Sequence, residues 1–512
     1  MPDPRSRSQV VLDIGLGQDP LPAVTRPDTP FRIALLGNLR GHAHAAQDLA
    51  ARRPVLVDRD DFDEVLASFA PELDIQLGED GPRITVGFRE LDDFHPDRLY
   101  ERLPLFQSLR ELRQRLSDPR SFGAAARELQ GDAPASPAAT APAAPREGAA
   151  ASVLDQILTE SVGPAPDPAA KPAAGPPARD DLQEYLRRVV APHLLPGRDP
   201  RQPELLAQVD ATISDQMRAL LHHPDFQALE SLWRGVYFLV RRLETNSLLR
   251  LYLIDASQEE IAADLAAQHG LESTGLYQLL VGSSTEAPGA DPWALLVGDL
   301  AFGPAEEEIG LLERLAQLAG VAGAPWLLAA HPQLVGLDSF ATPPELSRWQ
   351  APENPAWEAF RRTPAARFIG LAAPRFLLRL PYGEDAEPCD AFDFEELPPP
   401  PVHEHYLWGN PALACALLLG ETFSEAGWQM RPGMHREISG LPLHLVRNDG
   451  AATVQPCAET LLTERAAARL MDAGVMPLAS MKEHDAVLLV RFQSVAAPLA
   501  ALAGRWGAGN QA

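Results

Sequence analysis

The chain has 512 residues, 46% hydrophobic and 22% charged, and its 70 acidic side chains against 44 basic ones give a net charge of −26. That length exceeds one ordinary core and predicts several domains, while the negative field disfavours a nucleic-acid backbone as the main partner. Three cysteines, Cys389, Cys415 and Cys457, make no disulfide framework and suit a reducing compartment, and two lysines, Lys171 and Lys482, leave little scope for a lysine nucleophile. No stretch reaches the roughly 20 apolar residues of a membrane span. The opening MPDPRSRSQV lacks the apolar core of a signal peptide, so a cytoplasmic location is expected.

Residues 1–30, rich in proline and charge, read as a poorly ordered N-terminal segment. FRIALLGNL from Phe31 reads as a buried strand running into a glycine turn, and RRPVLVDRD as a second short apolar run. DDFDEVLASFA predicts a helix capped by Asp61, with Glu64 at the capping-box position and a stripe of Phe62, Val65, Leu66 and Phe69. RITVGFR alternates as a half-buried strand. The following stretch to Leu116 is helical, with Pro104 marking a kink or break. Residues 31–130 thus predict a small α/β domain.

Residues 131–180 hold 16 alanines and 10 prolines and read as an extended linker. One amphipathic island interrupts it at 151–161, where Leu154, Ile157 and Leu158 share a helical face with Val153. Such a segment gains stability by docking, either on its own protein or on a partner. The larger body spans 181–498, ahead of a tail at 499–512. Its long helix HHPDFQALESLWRGVYFLVRRLE repeats Phe226, Leu229, Trp233, Val236 or Tyr237, and Val240 at three- and four-residue steps, with Phe226, Leu229, Trp233 and Tyr237 as expected core residues. LLRLYLIDAS follows as a strand. LLVGDLAF, the helix EEEIGLLERLAQLAGVAG and PWLLAAHP then give the order of a βαβ unit with a parallel pair. Further strand-like and helical blocks run to VLLVRFQSV, and Trp408 in YLWGN is a further expected packing residue. The fold class is therefore mixed α/β, a small N-terminal α/β domain packed with a larger α/β body.

Side chains that could carry chemistry are few. Gly37 and Gly41 follow a strand, but neither GxGxxG nor a P-loop is present, so a tight turn is expected. His42 and His44, and His403 and His405, are spaced HxH, without HExxH or CxxC pairs to support a metal site. His222 and His223 precede Pro224 and suit a helix boundary. Glu230 and Glu244 are too far apart on one helix for paired-carboxylate work. His331, Asp338 and Ser339 are close in sequence but lack a GxSxG elbow. No cofactor is implied. Arg361, Arg362, Arg367, Arg375 and Arg379 form a basic run, read either as an electrostatic contact for an acidic partner or a neighbouring copy, or as a solvated face with internal ion pairs. The pattern favours a structural or interaction protein over an enzyme.

LHHPDFQALESLWRGVYFLVRR at 221–242 closely resembles the signature helix of the large subunit of the type VI secretion contractile sheath, the TssC family. The likeness continues through LLVGDLAF, APWLLAAHPQLVGLDSF, ARFIGLAAPRFLLRLPYG, YLWGNPALACA, GLPLHLVRNDG and CAETLLTERAAARLMDAGVMPL, and SVLDQILTES resembles that subunit's beginning. FRIALLGNLRG, RRPVLVDRDDFDEVLASFAPELDIQL and the stretch from Ile84 to Leu116 resemble the small subunit, the TssB family. The resemblance implies a fusion of the two subunits and a contractile-sheath-like fold without enzymatic activity. It also implies assembly with other sheath subunits or self around an inner-tube protein. An AAA+ unfoldase, through Leu154, Ile157 and Leu158, and baseplate proteins are further implied partners. The family's large subunit continues beyond the counterpart of Val495, whereas AAPLAALAGRWGAGNQA follows here. A non-polymerising accessory, such as a cap, baseplate adaptor or assembly regulator, is therefore the alternative expectation. A hydrolase in the central α/β region is the weakest.

Overall fold

The computed structural model describes residues 26–41, 48–78, 81–118, 120–130, 202–267, 270–286, 291–341, 349, 352–448 and 451–507. The expected linker, its segment at 151–161 and the His42/His44 pair lie outside these residues. In chain order the strands are β1 (Phe31–Gly37), β2 (Val55–Val57), β3 (Glu72–Gln76), β4 (Arg83–Gly87), β5 (Leu249–Asp255), β6 (Leu295–Phe302), β7 (Trp326–Ala330) and β8 (Ile369–Ala373). They continue as β9 (Phe376–Leu377), β10 (Trp408–Gly409), β11 (Glu437–Ile438), β12 (His444–Asn448), β13 (Ala451–Gln455), β14 (Val475–Ser480) and β15 (Val487–Leu489).

Nine of these strands build one sheet in the order β11-β15-β14-β8-β7-β6-β1-β5-β2. The N-terminal part keeps β3 and β4 as a two-stranded sheet of its own and packs against the body, as expected. Its first two strands, however, join the body's sheet. β1 runs parallel to β5, with Phe31 opposite Leu249 and Gly37 opposite Asp255, and parallel to β6, with Ile33 opposite Leu295 and Leu36 opposite Gly298. FRIALLG is apolar throughout because a strand inside a parallel sheet is buried on both faces. β2 pairs antiparallel with β5 and ends the sheet on that side; β11 ends the other. Both edge strands are very short, which blunts further strand pairing.

The helices used below are α1 (Phe62–Phe69), α2 (Pro96–Arg102), α3 (Pro104–Ser117), α4 (Phe122–Gln130), α5 (Gln202–Leu221), α6 (Pro224–Arg242), α7 (Gln258–Ala267), α8 (Glu306–Ala322), α9 (Pro355–Arg361), α10 (Pro411–Ala426) and α11 (Glu464–Asp472). The expected break falls between α2 and α3, where Pro104 takes the first position of a new helix. Asp61 does not cap α1 with its side chain; its Oδ1 instead accepts from Asp58 N at 2.8 Å and closes the preceding turn. The β6–α8–β7 unit forms as its order predicts, with β6 and β7 parallel neighbours. The alternation of β1 divides two cores. Phe31, Ile33 and Leu35 pack in one core with α1, α3, α6 and α10, whereas Ala34 and Leu36 enter the other with α8. α10 is buried almost all round, as an apolar core helix must be. It lies so close to α6 that a Cβ at Gly235 would run into Leu413.

Candidate functional site: the joint between the two parts

The joint is built chiefly on α6. His223 Nδ1 accepts from Asp225 N at 3.3 Å and caps the helix, Pro224 follows at its first position, and Arg241 and Arg242 occupy its last turn. Phe226, Leu229 and Trp233 are all at most 2% exposed. Phe226 meets Phe88 and Phe94 of the N-terminal part edge-on, at centroid distances of 5.8 and 5.7 Å. Trp233 meets Phe62 and Phe69 at 6.0 and 5.7 Å, and its Nε1 donates to the Leu39 carbonyl at 3.0 Å. Tyr237, expected in the core, is 37% exposed. It touches Phe62 at 5.2 Å but sits at the rim, because Val236, Leu239 and Val240, each at most 1% exposed, carry the buried face through the last turns of α6. Trp408 is buried, and its Nε1 donates to His403 O at 2.9 Å.

Polar contacts extend the joint. Asp97 accepts from the backbone N–H groups of Asp390 and Ala391 at 2.9 and 3.0 Å, while Tyr100 stacks on Phe392 at 4.6 Å. Arg52 pairs with Glu260, and Arg113 Nε reaches Asp210 Oδ1 at 2.5 Å.

Behind α6 lies a buried charge cluster. Arg379 Nε donates to Glu230 Oε1 at 2.8 Å, and its Nη1 and Nη2 hold the two oxygens of Glu396 at 2.7 and 2.9 Å. Arg234 donates to Glu230 Oε1 at 2.6 Å and to the Tyr382 hydroxyl at 2.9 Å; Tyr382 N donates to Glu396 Oε2 at 2.8 Å. Burial alone would raise the Glu230 carboxyl, but Arg379 and Arg234 outweigh it and hold it below the ordinary carboxylate range. Burial likewise opposes the charge on Arg379, and Glu230 and Glu396 reverse that and raise it well above its usual value. Two carboxylates and two guanidiniums therefore lock α6 to the segment from Arg379 to Glu396.

The expected basic run does not form one surface. Arg379 is buried in that cluster, and Arg361, 6% exposed, donates to Val495 O and Asp472 O at 2.8 Å each. Arg375 pairs with Glu459 at 2.6 Å and Arg362 with Glu358 at 3.6 Å, leaving Arg367 exposed and without an ion pair among the described residues. Five arginines close in sequence are separated because a helix end, a turn and the end of β8 aim them differently.

The other singled-out side chains have structural work. His331 caps a short turn, accepting from Gln333 N at 3.4 Å, and Ser339 Oγ accepts from Ala341 N at 3.1 Å. His403 Nε2 lies 3.3 Å from Glu459 Oε1. His405 stacks on His222 at 3.9 Å; burial first, then His405 and Arg379, push His222 down to about 3, so it stays neutral. A Cβ at Gly37 would lie 2.8 Å from Leu232 Cδ2, and Gly41 takes a φ of +77°, so both serve the turn after β1. Burial pushes the Cys389 thiol up to about 12 and the Cys457 thiol up to about 11, the opposite of nucleophile activation. Among the described residues no group of three or more His, Cys, Asp or Glu side chains could hold a metal ion. No described helix is long and apolar enough to cross a membrane.

Sequence reasoning missed the buried cluster. Its legible signals were Glu230 inside an apolar stripe four residues before Arg234, and Arg379 inside RFLLRLP.

An interleaved α/β assembly, with one part's strand inside the other's sheet and a joint of packing and buried ion pairs, defines an architectural class of protein. Residues 203–496 match the VipB (EvpB) tail sheath N-terminal domain family, and residues 5–129 match the VipA family of the type VI secretion system. The chain belongs to the type VI secretion tail-sheath family, with small- and large-subunit-like parts fused in one polypeptide. It is 32% identical over 304 residues to the type VI secretion system sheath protein TssC1 of Pseudomonas aeruginosa. That match covers 57% of this chain and 61% of the relative, so the chain spans about three-fifths of the relative's length.

Proposed function

We propose that this chain is a single-polypeptide protomer of a type VI secretion contractile sheath, acting as a structural element in the cytoplasm. The observation that carries the reading is β1, paired on one side with β5 and on the other with β6. A sheath unit otherwise made from two subunits needs its small-subunit strand in place before it can stack. Here one chain brings both parts in fixed proportion. Its partners are further copies of itself or other sheath subunits, and an inner-tube protein. A baseplate contact and recognition by an AAA+ unfoldase, through Leu154, Ile157 and Leu158, belong to the same proposal. The unfoldase part is tested by binding of its N-terminal domain to the native chain and to a Leu154→Asp/Ile157→Asp variant, with equal binding overturning it. Negative-stain microscopy of the full chain, alone and with the inner-tube protein of its system, tests assembly. Long hollow cylinders are expected. Discrete particles under every condition would overturn the reading in favour of a non-polymerising accessory.

A further inference from the structure

Along the exposed side of α6 the last turns form the wall of a groove of about 410 Å³, completed by Leu377, Leu378 and the loop Gly440–Pro442. Arg241 stands over the Tyr237 ring at 5.7 Å and Arg242 over Phe238 at 5.0 Å. Arg242 donates to the Ser439 and Gly440 carbonyls, each at 2.8 Å, with Glu421 and Asp485 nearby but outside ion-pair distance. Arg241 is exposed and forms no ion pair among the described residues. The groove thus offers aromatic faces and two guanidiniums whose charge is not neutralised by direct contact, on a chain of net charge −26.

The same chain carries the opposite surface. Glu384, Glu387, Asp390 and Asp393 are exposed along the loop that α2 props up through Asp97. None of the four is in an ion pair among the described residues, whereas Asp385 between them pairs with Arg447 at 2.9 Å. Phe392 and Phe394 turn inward beneath them, against Tyr100 and the core, and anchor the ridge from below. The Glu230–Arg379–Glu396 cluster fixes this loop at both ends and the Asp97 contacts hold its middle, so the ridge is presented with little ordering cost.

We infer that the groove formed by Tyr237, Phe238, Arg241 and Arg242 receives the acidic 384–395 ridge of a second copy of this chain. Groove and ridge are different surfaces, so the contact is heterologous and can repeat from copy to copy without closing. Opposite charges steer the encounter and fix its register. The inference deepens the sheath reading, on which the repeat rests, but the contact itself needs only two copies.

The test uses the full chain with exposed charges exchanged. Arg241→Glu and Glu387→Arg variants, each first shown to keep the native thermal transition, are compared with the unmodified chain by sedimentation velocity at low salt. Each variant alone is expected to associate about tenfold more weakly, and an equimolar mixture should recover the association because both interfaces between unlike variants join opposite charges. No association of the unmodified chain, unchanged association of the variants, or no recovery in the mixture would each overturn the inference. Negative staining of the same samples separates the two readings. Cylinders that ignore the charge exchange overturn this contact and leave the sheath reading standing. Charge-dependent pairs without cylinders support the contact and count against the sheath.

Discussion

The indole Nε1 of Trp233 donates to the carbonyl of Leu39 at 3.0 Å, tying the middle of α6 to the turn that ends β1. The bond is buried, and it spans the boundary between the two matched families. Leu39 N in turn donates to Asp255 Oδ1 at 3.0 Å, at the end of β5. One turn of the N-terminal part is therefore held from the helix above and the strand beside it.

Replacing Trp233 with alanine removes the contacts to Phe62 and Phe69 and leaves a large cavity, for an expected loss of about 3–5 kcal/mol. Trp233→Phe keeps much of the ring but strands the Leu39 carbonyl, costing about 1–3 kcal/mol. Urea unfolding of both variants measures the difference. A loss below about 1 kcal/mol for the alanine variant would place this face of α6 outside the core.

The buried cluster makes a second prediction. Arg379→Met leaves Glu230 and Glu396 with far less compensation, and removing one partner of a buried ionic group costs about 3–5 kcal/mol. Arg379→Met and Glu230→Gln should be strongly non-additive when combined, because both act on the same set of bonds. Additive losses in a double-mutant cycle would show that the two side chains contribute independently.

Local patterning made much of this fold legible. β6, α8 and β7 follow one another with the right periodicities, and Pro104 announced its break. What was not legible depends on partners far away in sequence. FRIALLG reads as a buried strand, but nothing in it says that its neighbours are β5 and β6; the Leu39–Asp255 bond joins residues 216 positions apart. The basic run divides for the same reason, since the backbone turns between Arg361 and Arg379 send neighbouring arginines to separate internal ion pairs. Glu230 was visible only as a charge in an apolar stripe, and its meaning required Arg379, 149 positions later.

Two carboxylates should move stability with pH in opposite directions. Burial alone would raise Glu459, but the hydrogen bond from His403 and the charge of Arg375 hold it at about 2. Its unfolded value is near 4.3, so its contribution, about 3 kcal/mol, is present above that pH and lost as pH falls towards 2. Asp299, in β6 beside Gly37, is instead raised by burial to about 6. Between about 4 and 6 the unfolded chain releases this proton more readily than the folded one, so stability falls as pH rises through that window. Asp299→Asn should therefore gain about 1–2 kcal/mol at pH 7 and nothing at pH 3.5. Glu459→Gln should do the reverse, with a loss at pH 7 that vanishes towards pH 2. Denaturant midpoints across pH check both, and a pH-independent change in either variant would remove its titration from the account.

The last prediction concerns the joint as a whole. β1 offers seven residues of backbone that pair with β5, and four of them also pair with β6. If β1 is withdrawn, the facing edges of β5 and β6 lose those bonds, and the cores on both sides of the sheet lose Phe31, Ile33, Leu35, Ala34 and Leu36. Such edges are templates for aggregation. Residues 202–507 produced alone should therefore be insoluble or bind a hydrophobic dye, while co-production with residues 26–130 should rescue them as a soluble pair. Proteolysis of the intact chain between 131 and 201 should give two fragments that elute together, because strand pairing rather than the covalent tether holds the parts. Fragments that separate in dilute buffer, or a soluble monomeric 202–507 with a cooperative thermal transition, would show that the body closes its sheet without β1.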